Sequence, residues 1–348
     1  MSGAGSSLDA GRLVPPAIGG NEPVRAAPAA GLYRQAMRKL RRNKVALLAG
    51  VVFVLIVVCC LAAPLYASYI AHTGPDANHI TETIQVGGKR VDVVSQTGIP
   101  IGPTWHSRFF LGADLNGRDV AVRLLYGGRN SLFIGFTATA ITMVVAVAVG
   151  LVAGYLRGWV DSVLTRLLDV IWAYPAILLG VAIGTSLALG GIKLGLFKIG
   201  SDSLFIPAII IGFVNIPYVA KPIRGQVLAL REKEFIEAAR GLGEGSLRIM
   251  VTEILPNITS TVIVFIPLMI ANSILLEAGL SFLGAGVQPP NPSWGTMISD
   301  GVALITATPS LILAPGLALV ISVFCVNLFG EGLRDALDSR MVIGAARR

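Results

Sequence analysis

The chain contains three histidines, His72, His79 and His106, and all of them lie in its first third. A hydrolase needs a nucleophile with a general base within reach of it. Ser281, in the stretch GLSFLG, resembles a hydrolase serine only superficially, because the apolar run around it contains no histidine. We therefore expect no catalytic residues in this chain, and we expect that it is not an enzyme.

Nucleotide and metal sites are not predicted either. A phosphate-binding loop has the pattern GxxxxGK[ST], whose backbone amides surround the phosphates. The nearest stretch, GGKR at 87–90, lacks the serine or threonine. The cysteines Cys59, Cys60 and Cys325 lie inside apolar runs, where a thiol packs as a small apolar side chain. The chain is expected to hold no cofactor and no metal of its own.

Four polar side chains interrupt the apolar runs: Asn215, Asn272, Glu277 and Asn327. Polar groups inside a membrane are costly to bury and often functional. One interpretation is that they form hydrogen bonds between helices, as polar residues commonly do in membrane bundles. The other is that they line a path for a solute. The sequence leaves both open, and it places Glu277 near the external end of its helix.

The composition indicates an integral membrane protein. Of the 348 residues, 54% are hydrophobic and only 14% are charged. The formal charge of +8 comes from basic residues next to the ends of apolar runs, which is typical of membrane orientation. Nucleic-acid binding is therefore not expected.

Six uncharged windows are each long enough to cross a hydrocarbon core of about 30 Å, which takes about 20 helical residues. Each must be helical, because unpaired backbone groups in lipid are too costly. The predicted fold is an all-α polytopic membrane protein with six transmembrane helices. Prolines 175, 207, 217, 267 and 315 predict kinks. The windows are approximately Val45–Ala67, Ser131–Leu156, Val170–Ile192, Ser203–Ala220, Asn257–Leu276 and Thr306–Gly330.

Lysines and arginines concentrate before the first window, in the segment 221–256 and after the last window. The two short loops on the other side hold only Lys193 and Lys198. Positive residues favour the cytoplasmic side, so both termini of this multi-pass protein are predicted to be cytoplasmic. Residues 1–30 predict a disordered tail. Next to it, an interfacial helix in contact with membrane lipid is predicted from one face of apolar residues, Leu32, Ala36, Met37 and Leu40.

The first external loop, 68–130, is long and contains the alternating stretch ETIQVGGKRVDVV. The pair Gly87 and Gly88 suits a two-residue turn, so the stretch predicts a β-hairpin. The hairpin is either a solvated surface element or a docking surface for an external partner.

A charged, amphipathic segment, REKEFIEAARGLG, stands between the fourth and fifth windows. Phe235, Ala239 and Leu242 are predicted to share one stripe of a short helix. The small side chains of Ala238 and Ala239 would let another surface approach closely, and Gly243 permits a turn. The next stretch, SLRIMVTEILPN, predicts a second helix that ends at Pro256. Exposed apolar residues in a cytoplasmic connection indicate a docking surface.

The spacing of Glu237, Ala238, Ala239, Gly243 and Pro256 resembles the EAA loop of ABC importer permeases. Four further blocks, at 111–132, 154–175, 271–301 and 315–340, are similar to the C-type permeases of dipeptide, oligopeptide and nickel importers. The resemblance covers about residues 34–340. Two departures are Ala113, where the family usually has threonine, and an external insert at 71–108 that is longer than expected.

The resemblance implies the type I ABC importer fold in a bacterial plasma membrane, with a second permease subunit, two ATPase subunits that bind ATP and Mg²⁺, and an extracytoplasmic substrate-binding protein. The function that the resemblance implies is ATP-driven import of dipeptides or oligopeptides. The alternatives are a nickel or other small-solute importer, a stand-alone carrier, or a membrane enzyme.

The predicted organisation is a tail with a basic helix (1–44), a first transmembrane helix (45–67), an external loop (68–130), a five-helix core (131–330) with a coupling loop (221–256), and a tail (331–348). The coupling residues implied by the resemblance are Phe235, Glu237, Ala238, Ala239, Leu242, Gly243 and Pro256.

Overall fold

A computed structural model describes residues 29–188, 190–194 and 197–337. The predicted disordered tail lies outside these residues except for its last two, and so does the end of the C-terminal tail. Within them, five helices are long and apolar enough to cross a membrane, or six if one bent pair counts as a single span. The chain is a mainly helical multi-pass membrane protein with a small two-stranded hairpin, as predicted.

The first two helices are α1, Ala29–Arg42, and α2, Lys44–Leu61, and they are separated at Asn43. The Oδ1 atom of Asn43 accepts a hydrogen bond from the Ala46 amide and so caps α2. Ala36 and Leu40 of α1 are buried against the end of the last helix, so this part of the predicted interfacial face packs on protein. Met37 is exposed, and the side chain of Leu32 lies outside the described part.

The chain continues from α2 through a short turn, Ala63–Tyr66, and a π-helical turn, Ala67–Ala71, into the external loop. There the predicted hairpin is present as strands β1, Thr83–Val86, and β2, Lys89–Asp92. Gly87 and Gly88 have φ values of +58° and +80°, the left-handed conformation that a tight two-residue turn requires.

The helix α3, Val120–Leu156, begins well before the predicted Ser131. Asp119 explains the earlier start, because its carboxylate accepts hydrogen bonds from the amides of Ala121 and Val122. With 37 residues the helix is about 55 Å long, so it extends beyond the hydrocarbon core.

The predicted span Val170–Ile192 is not one continuous helix, and the helical segment begins earlier than predicted. The structure has two helices here, α4, Gly158–Ala173, and α5, Ala176–Ala188, with an angle of 88° between them. Pro175 lies at the break, where its ring and its missing amide prevent a continuous helix. A second hairpin, not predicted, follows with strands β3, Ile192–Leu194, and β4, Phe197–Ile199.

The remaining helices are α6, Phe205–Arg231; α7, Glu234–Gly241; α8, Ser246–Phe282; α9, Trp294–Gly301; and α10, Ser310–Leu337. A single 3₁₀ turn, Val302–Leu304, follows α9. Both α6 and α10 run past the ends of the predicted windows. Glu277 lies inside α8, a full turn before its end, and is fully buried.

The centre of the bundle is the contact between α3 and α6. Gly150 and Gly154 face α6, and a Cβ atom at either position would come within 2.9 Å of a backbone carbonyl oxygen, of Ala220 or of Arg224. Small residues four positions apart let two helices approach closely in a membrane. One large buried cluster around Ile223 and Val227 connects this contact to α7 and to the start of α8.

Candidate coupling surface and buried polar network

The short helix α7 divides its apolar residues between two environments. Ile236 and Ala239 are buried in the cluster that joins α3, α6 and α8. Phe235 is 41% exposed and Leu242 is 83% exposed. The prediction that these two share a stripe with Ala239 is therefore wrong in this structure, because Ala239 faces the protein's own core. Of the two alanines, Ala238 is the one on the open face.

Gly243 ends α7 in a defined way. Its φ is +81°, a conformation that favours glycine. The amide of Gly243 donates to the carbonyl of Arg240, and the amide of Glu244 donates to that of Ala239, which is the Schellman pattern. No heavy atom lies within 4 Å of where a Cβ atom of Gly243 would be, so its requirement for glycine comes from the backbone alone.

Glu237 lies in the first turn of α7, where the helix dipole favours a negative charge. The structure records no hydrogen bond or ion pair from its side chain to any residue in the described part, and it is exposed. Leu247 and Val251, at the start of α8, are also exposed, by 72% and 51%. We call the open face formed by Phe235, Ala238, Leu242 and Leu247 the coupling surface.

The coupling surface is connected to the end of α3 by aromatic and charged contacts. The guanidinium groups of Arg240 and Arg231 lie 5.3 Å and 5.7 Å from the centre of the Tyr155 ring. Arg231 also donates to the backbone carbonyl of Tyr155. Arg157 forms an ion pair of 2.6 Å with Glu232, which lies in the short connection between α6 and α7. Movement of α7 would therefore act on α3 as well as on α6.

The prediction that a helix ends at Pro256 is wrong. The helix continues through it, because the segment Ile249–Ile254 is π-helical and the amide of Leu255 bonds to the carbonyl of Met250. A π turn widens the helix by one residue, so the proline is accommodated without a break. The coupling surface thus passes directly into the membrane-spanning part of α8.

A second set of contacts joins α4, the first helix of the bent pair, to α6, and sequence reasoning missed it. Both oxygens of Asp161 accept hydrogen bonds from Arg224, at 2.5 and 2.6 Å. Lys221 forms an ion pair of 2.6 Å with Asp169 and lies 4.0 Å from the centre of the Trp172 ring. The partners are separated by about 50 to 60 positions, so no local pattern reveals them.

The structure brings together two of the four polar residues that interrupt the apolar runs. The amide of Asn272 donates to Oδ1 of Asn215 at 2.9 Å, which joins α8 to α6. Ser273 extends this network to Asn215 and to Thr139 of α3, each at 3.4 Å. Asn215 and Ser273 are fully buried.

The other two polar residues lie outside that hydrogen-bond network. Glu277 accepts a hydrogen bond of 2.6 Å from Ser281, and its second carboxylate oxygen has no partner in the described part of the chain. Asn327 of α10 is half-buried, and its side chain bonds to none of the described residues.

No cluster of three or more histidine, cysteine, aspartate or glutamate residues that could hold a metal occurs in residues 29–188, 190–194 and 197–337.

Comparisons with known proteins place these features in a family. Residues 146–343 match the model of a binding-protein-dependent transport system inner membrane component, and residues 31–80 match the N-terminal membrane domain of oligopeptide transport permease C. A dipeptide transport system permease protein of Alkalihalophilus pseudofirmus is 34% identical, with 89% of this chain and 90% of that protein covered.

Two other relatives are a glutathione transport system permease protein of Pectobacterium atrosepticum and an oligopeptide transport system permease protein of Bacillus subtilis. Each is 32% identical, with 89% of this chain covered and 91% and 90% of the relatives. Among solved structures, the inward-facing MetNI methionine ABC transporter matches 62% of this chain and 96% of its own chain, with 18% identity and a TM-score of 0.50. That likeness concerns the fold alone. This chain belongs to the family of binding-protein-dependent transport system inner membrane components.

Proposed function

We propose that the chain is one of two permease subunits of an ATP-driven importer of dipeptides or oligopeptides. The relatives support this substrate class, since the three described above transport dipeptides, oligopeptides and glutathione by name. The partners are a second permease subunit, two ATPase subunits that bind ATP and Mg²⁺, and an extracytoplasmic substrate-binding protein. The complex lies in the bacterial plasma membrane with both termini of this chain in the cytoplasm.

The observation that carries the proposal is the coupling surface. Phe235 and Leu242 are apolar and exposed on a short helix outside the spanning segments. An exposed apolar surface of this kind, surrounded by charged residues, suits contact with another protein. We assign that contact to an ATPase subunit. Ala238 allows the close approach, and Glu237, which has no partner within the described chain, is available to bond to the ATPase.

Transmission of the motion follows from the buried side of α7. Ile236 and Ala239 pack into the cluster around Ile223, so a push on α7 moves the ends of α3, α6 and α8 together. Because packed helices move as rigid bodies, the bundle would rock between inward-open and outward-open states. Gly243 fixes the end of α7 and thereby the position of the coupling surface relative to α8.

The buried polar network fits a role within the bundle better than contact with a solute. Asn215 is fully buried and bonded to Asn272, so a passing solute has no access to it in this state. We assign the pair to holding α6 and α8 together. Glu277 is likewise fully buried, and its hydrogen bond with Ser281 lies within α8, so a passing solute has no access to it in this state either.

The test is reconstitution of the complete complex in vesicles with the substrate-binding protein outside and ATP inside. Short peptides should accumulate and should stimulate ATP hydrolysis, and omission of the ATPase subunits should abolish accumulation. Uptake by this chain alone, without ATPase subunits, would support a stand-alone carrier. Uptake of nickel in place of peptides would support the small-solute importer.

A further inference from the structure

A groove of about 510 Å³ lies between the membrane-spanning helices α2, α3, α8 and α10. Every residue that lines it is apolar, and they include Leu47, Val51 and Val54 of α2, Pro267 of α8, and Phe329 and Leu333 of α10. Gly50 allows the two outer helices to meet at its floor, where a Cβ atom would come within 2.9 Å of the Phe329 ring. The groove is separate from the coupling surface and from the buried polar network.

The groove follows the helix axes inside the hydrocarbon region. From Leu47 to Val54 it runs about 10 Å along α2. Val51 and Val54 remain 62% and 59% exposed, so the groove is open at the side of the bundle. An α-helix with its side chains is about 10–12 Å wide, so a helix of another protein does not enter a groove of this volume. A single hydrocarbon chain is narrow enough to enter it.

One end of the groove lies next to a basic cluster. Arg41, Arg42 and Lys44 are exposed at the junction of α1 and α2. Lys44 precedes Leu47 by three positions, so both lie on the same face of α2. The acidic residues nearby, Glu331 and Asp335, each follow a groove residue of α10 by two positions, which places them on the other side of that helix.

We propose that this groove binds an anionic phospholipid, with one acyl chain along Leu47, Val51 and Val54 and the phosphate group at Arg41, Arg42 and Lys44. The apolar walls select a hydrocarbon chain, and the basic cluster at its end selects a negative headgroup, as basic residues at helix ends commonly do. The lipid would fill the space between α2 and the helices behind it. This inference does not depend on the transported solute.

The experiment uses the full chain in phosphatidylcholine vesicles that contain a small fraction of phosphatidylglycerol with a photoreactive diazirine on its acyl chain. After illumination, the cross-linked peptides are mapped by mass spectrometry. Cross-links should concentrate on the groove-facing residues of α2, α3, α8 and α10. Val51→Phe, which fills the groove, should remove most of them, whereas Val58→Phe should not, since Val58 is equally exposed on the same helix but does not line the groove.

The headgroup is tested by exchange of charges. Arg42→Gln combined with Lys44→Gln should reduce the preference for phosphatidylglycerol over an otherwise identical phosphatidylcholine probe roughly tenfold. Lys89→Gln with Arg90→Gln removes the same charge from the external hairpin and should leave the preference unchanged.

Three results would overturn the proposal. The first is a uniform distribution of cross-links over the lipid-facing surface, with no effect of Val51→Phe. The second is cross-linking in the groove that is equal for both headgroups. If the complete complex instead shows the groove closed to both probes by another subunit, the groove is a protein interface and the proposal fails.

Discussion

The guanidinium group of Arg240 lies 5.3 Å from the centre of the Tyr155 ring, and this contact joins the coupling surface to the end of α3. Tyr155 is buried, so the arginine of a short peripheral helix is held against one of the two longest helices of the bundle. Arg231, at the end of α6, approaches the same ring. Three helices therefore meet at one tyrosine.

Tyr155→Leu should weaken the coupling between ATP hydrolysis and uptake. A cation–π contact contributes about 0.5–2 kcal/mol, so loss of the ring should lower uptake per ATP by a factor of about 2 to 30. Tyr155→Phe keeps the ring and should retain coupling. The measurement is the ratio of peptide uptake to ATP hydrolysis in vesicles. Equal ratios for the leucine and phenylalanine variants would contradict a role of the ring in coupling.

Ala238→Asp and Ala239→Asp should fail in different ways. Ala238 is on the open face, so a carboxylate there should leave folding intact and block docking of the ATPase. Ala239 is buried, and an unpaired charge at that position should reduce the amount of folded protein in the membrane. Size-exclusion profiles of the solubilised chain report whether each variant is folded. Copurification of the ATPase reports whether the folded variant still docks. Normal assembly by the Ala238 variant would remove this residue from the docking surface.

Gly243→Ala should destabilise the end of α7. With φ at +81° a residue with a Cβ atom costs about 1–2 kcal/mol, and nothing nearby adds a steric clash. Gly241→Ala is the matched control, because Gly241 also has open space around a Cβ position and has no positive φ. Hydrogen exchange of the amides after residue 240 should increase in the Gly243 variant only.

The local features of this fold could be predicted from the sequence, and the contacts between distant segments could not. The glycine pair at 87–88 gave the external hairpin because the turn itself requires glycine. The start of α3 could also have been predicted, because Asp119 is a typical N-cap residue directly before the helix. The hydropathy windows missed it because they do not detect caps. Pro175 predicts a kink, but the apolar residues on both sides of it give no sign that the bend is as large as 88°.

Long-range partners show the other limit. Arg224 and Asp161 are 63 positions apart, and Asn272 and Asn215 are 57 apart. Each residue alone is compatible with many partners. Ala239 shows the same limit. Helical spacing predicts that it shares a face with Phe235, but which face of α7 is buried depends on the residues of α3, α6 and α8 that pack against it.

Asn215→Leu should destabilise the bundle. The substitution leaves Asn272 without its partner in α6, and hydrogen bonds between membrane helices contribute about 0.6–2 kcal/mol. Asn327→Leu is the control, because the side chain of Asn327 bonds to none of the described residues. The thermal unfolding temperature of the purified chain in mild detergent should fall for the Asn215 variant and stay close to that of the original chain for the Asn327 variant. A similar decrease in unfolding temperature for both variants would mean that the hydrogen bond between Asn215 and Asn272 does not stabilise the bundle.

The loop at 68–130 carries a carboxylate whose titration can be predicted. Partial burial raises the pKa of Glu82, but hydrogen bonds from His79 and Arg108, together with their charges, outweigh it and hold the pKa below its ordinary value of 4.5. The carboxylate bonds to Arg108 at 2.8 Å and to His79 at 3.0 Å.

Since the pKa of Glu82 is lower in the folded chain than in the unfolded one, these contacts stabilise the loop fully above pH 4.5. The stabilisation is lost as the pH falls through the lower, folded-state pKa. Carbon-13 titration of the Glu82 carboxyl should show a midpoint below 4.5, and Arg108→Gln should raise it. Arg90→Gln removes a neighbouring charge that lies in the hairpin without contact to Glu82, so it should leave the midpoint nearly unchanged. A midpoint that Arg108→Gln does not move would show that the ion pair is absent in solution.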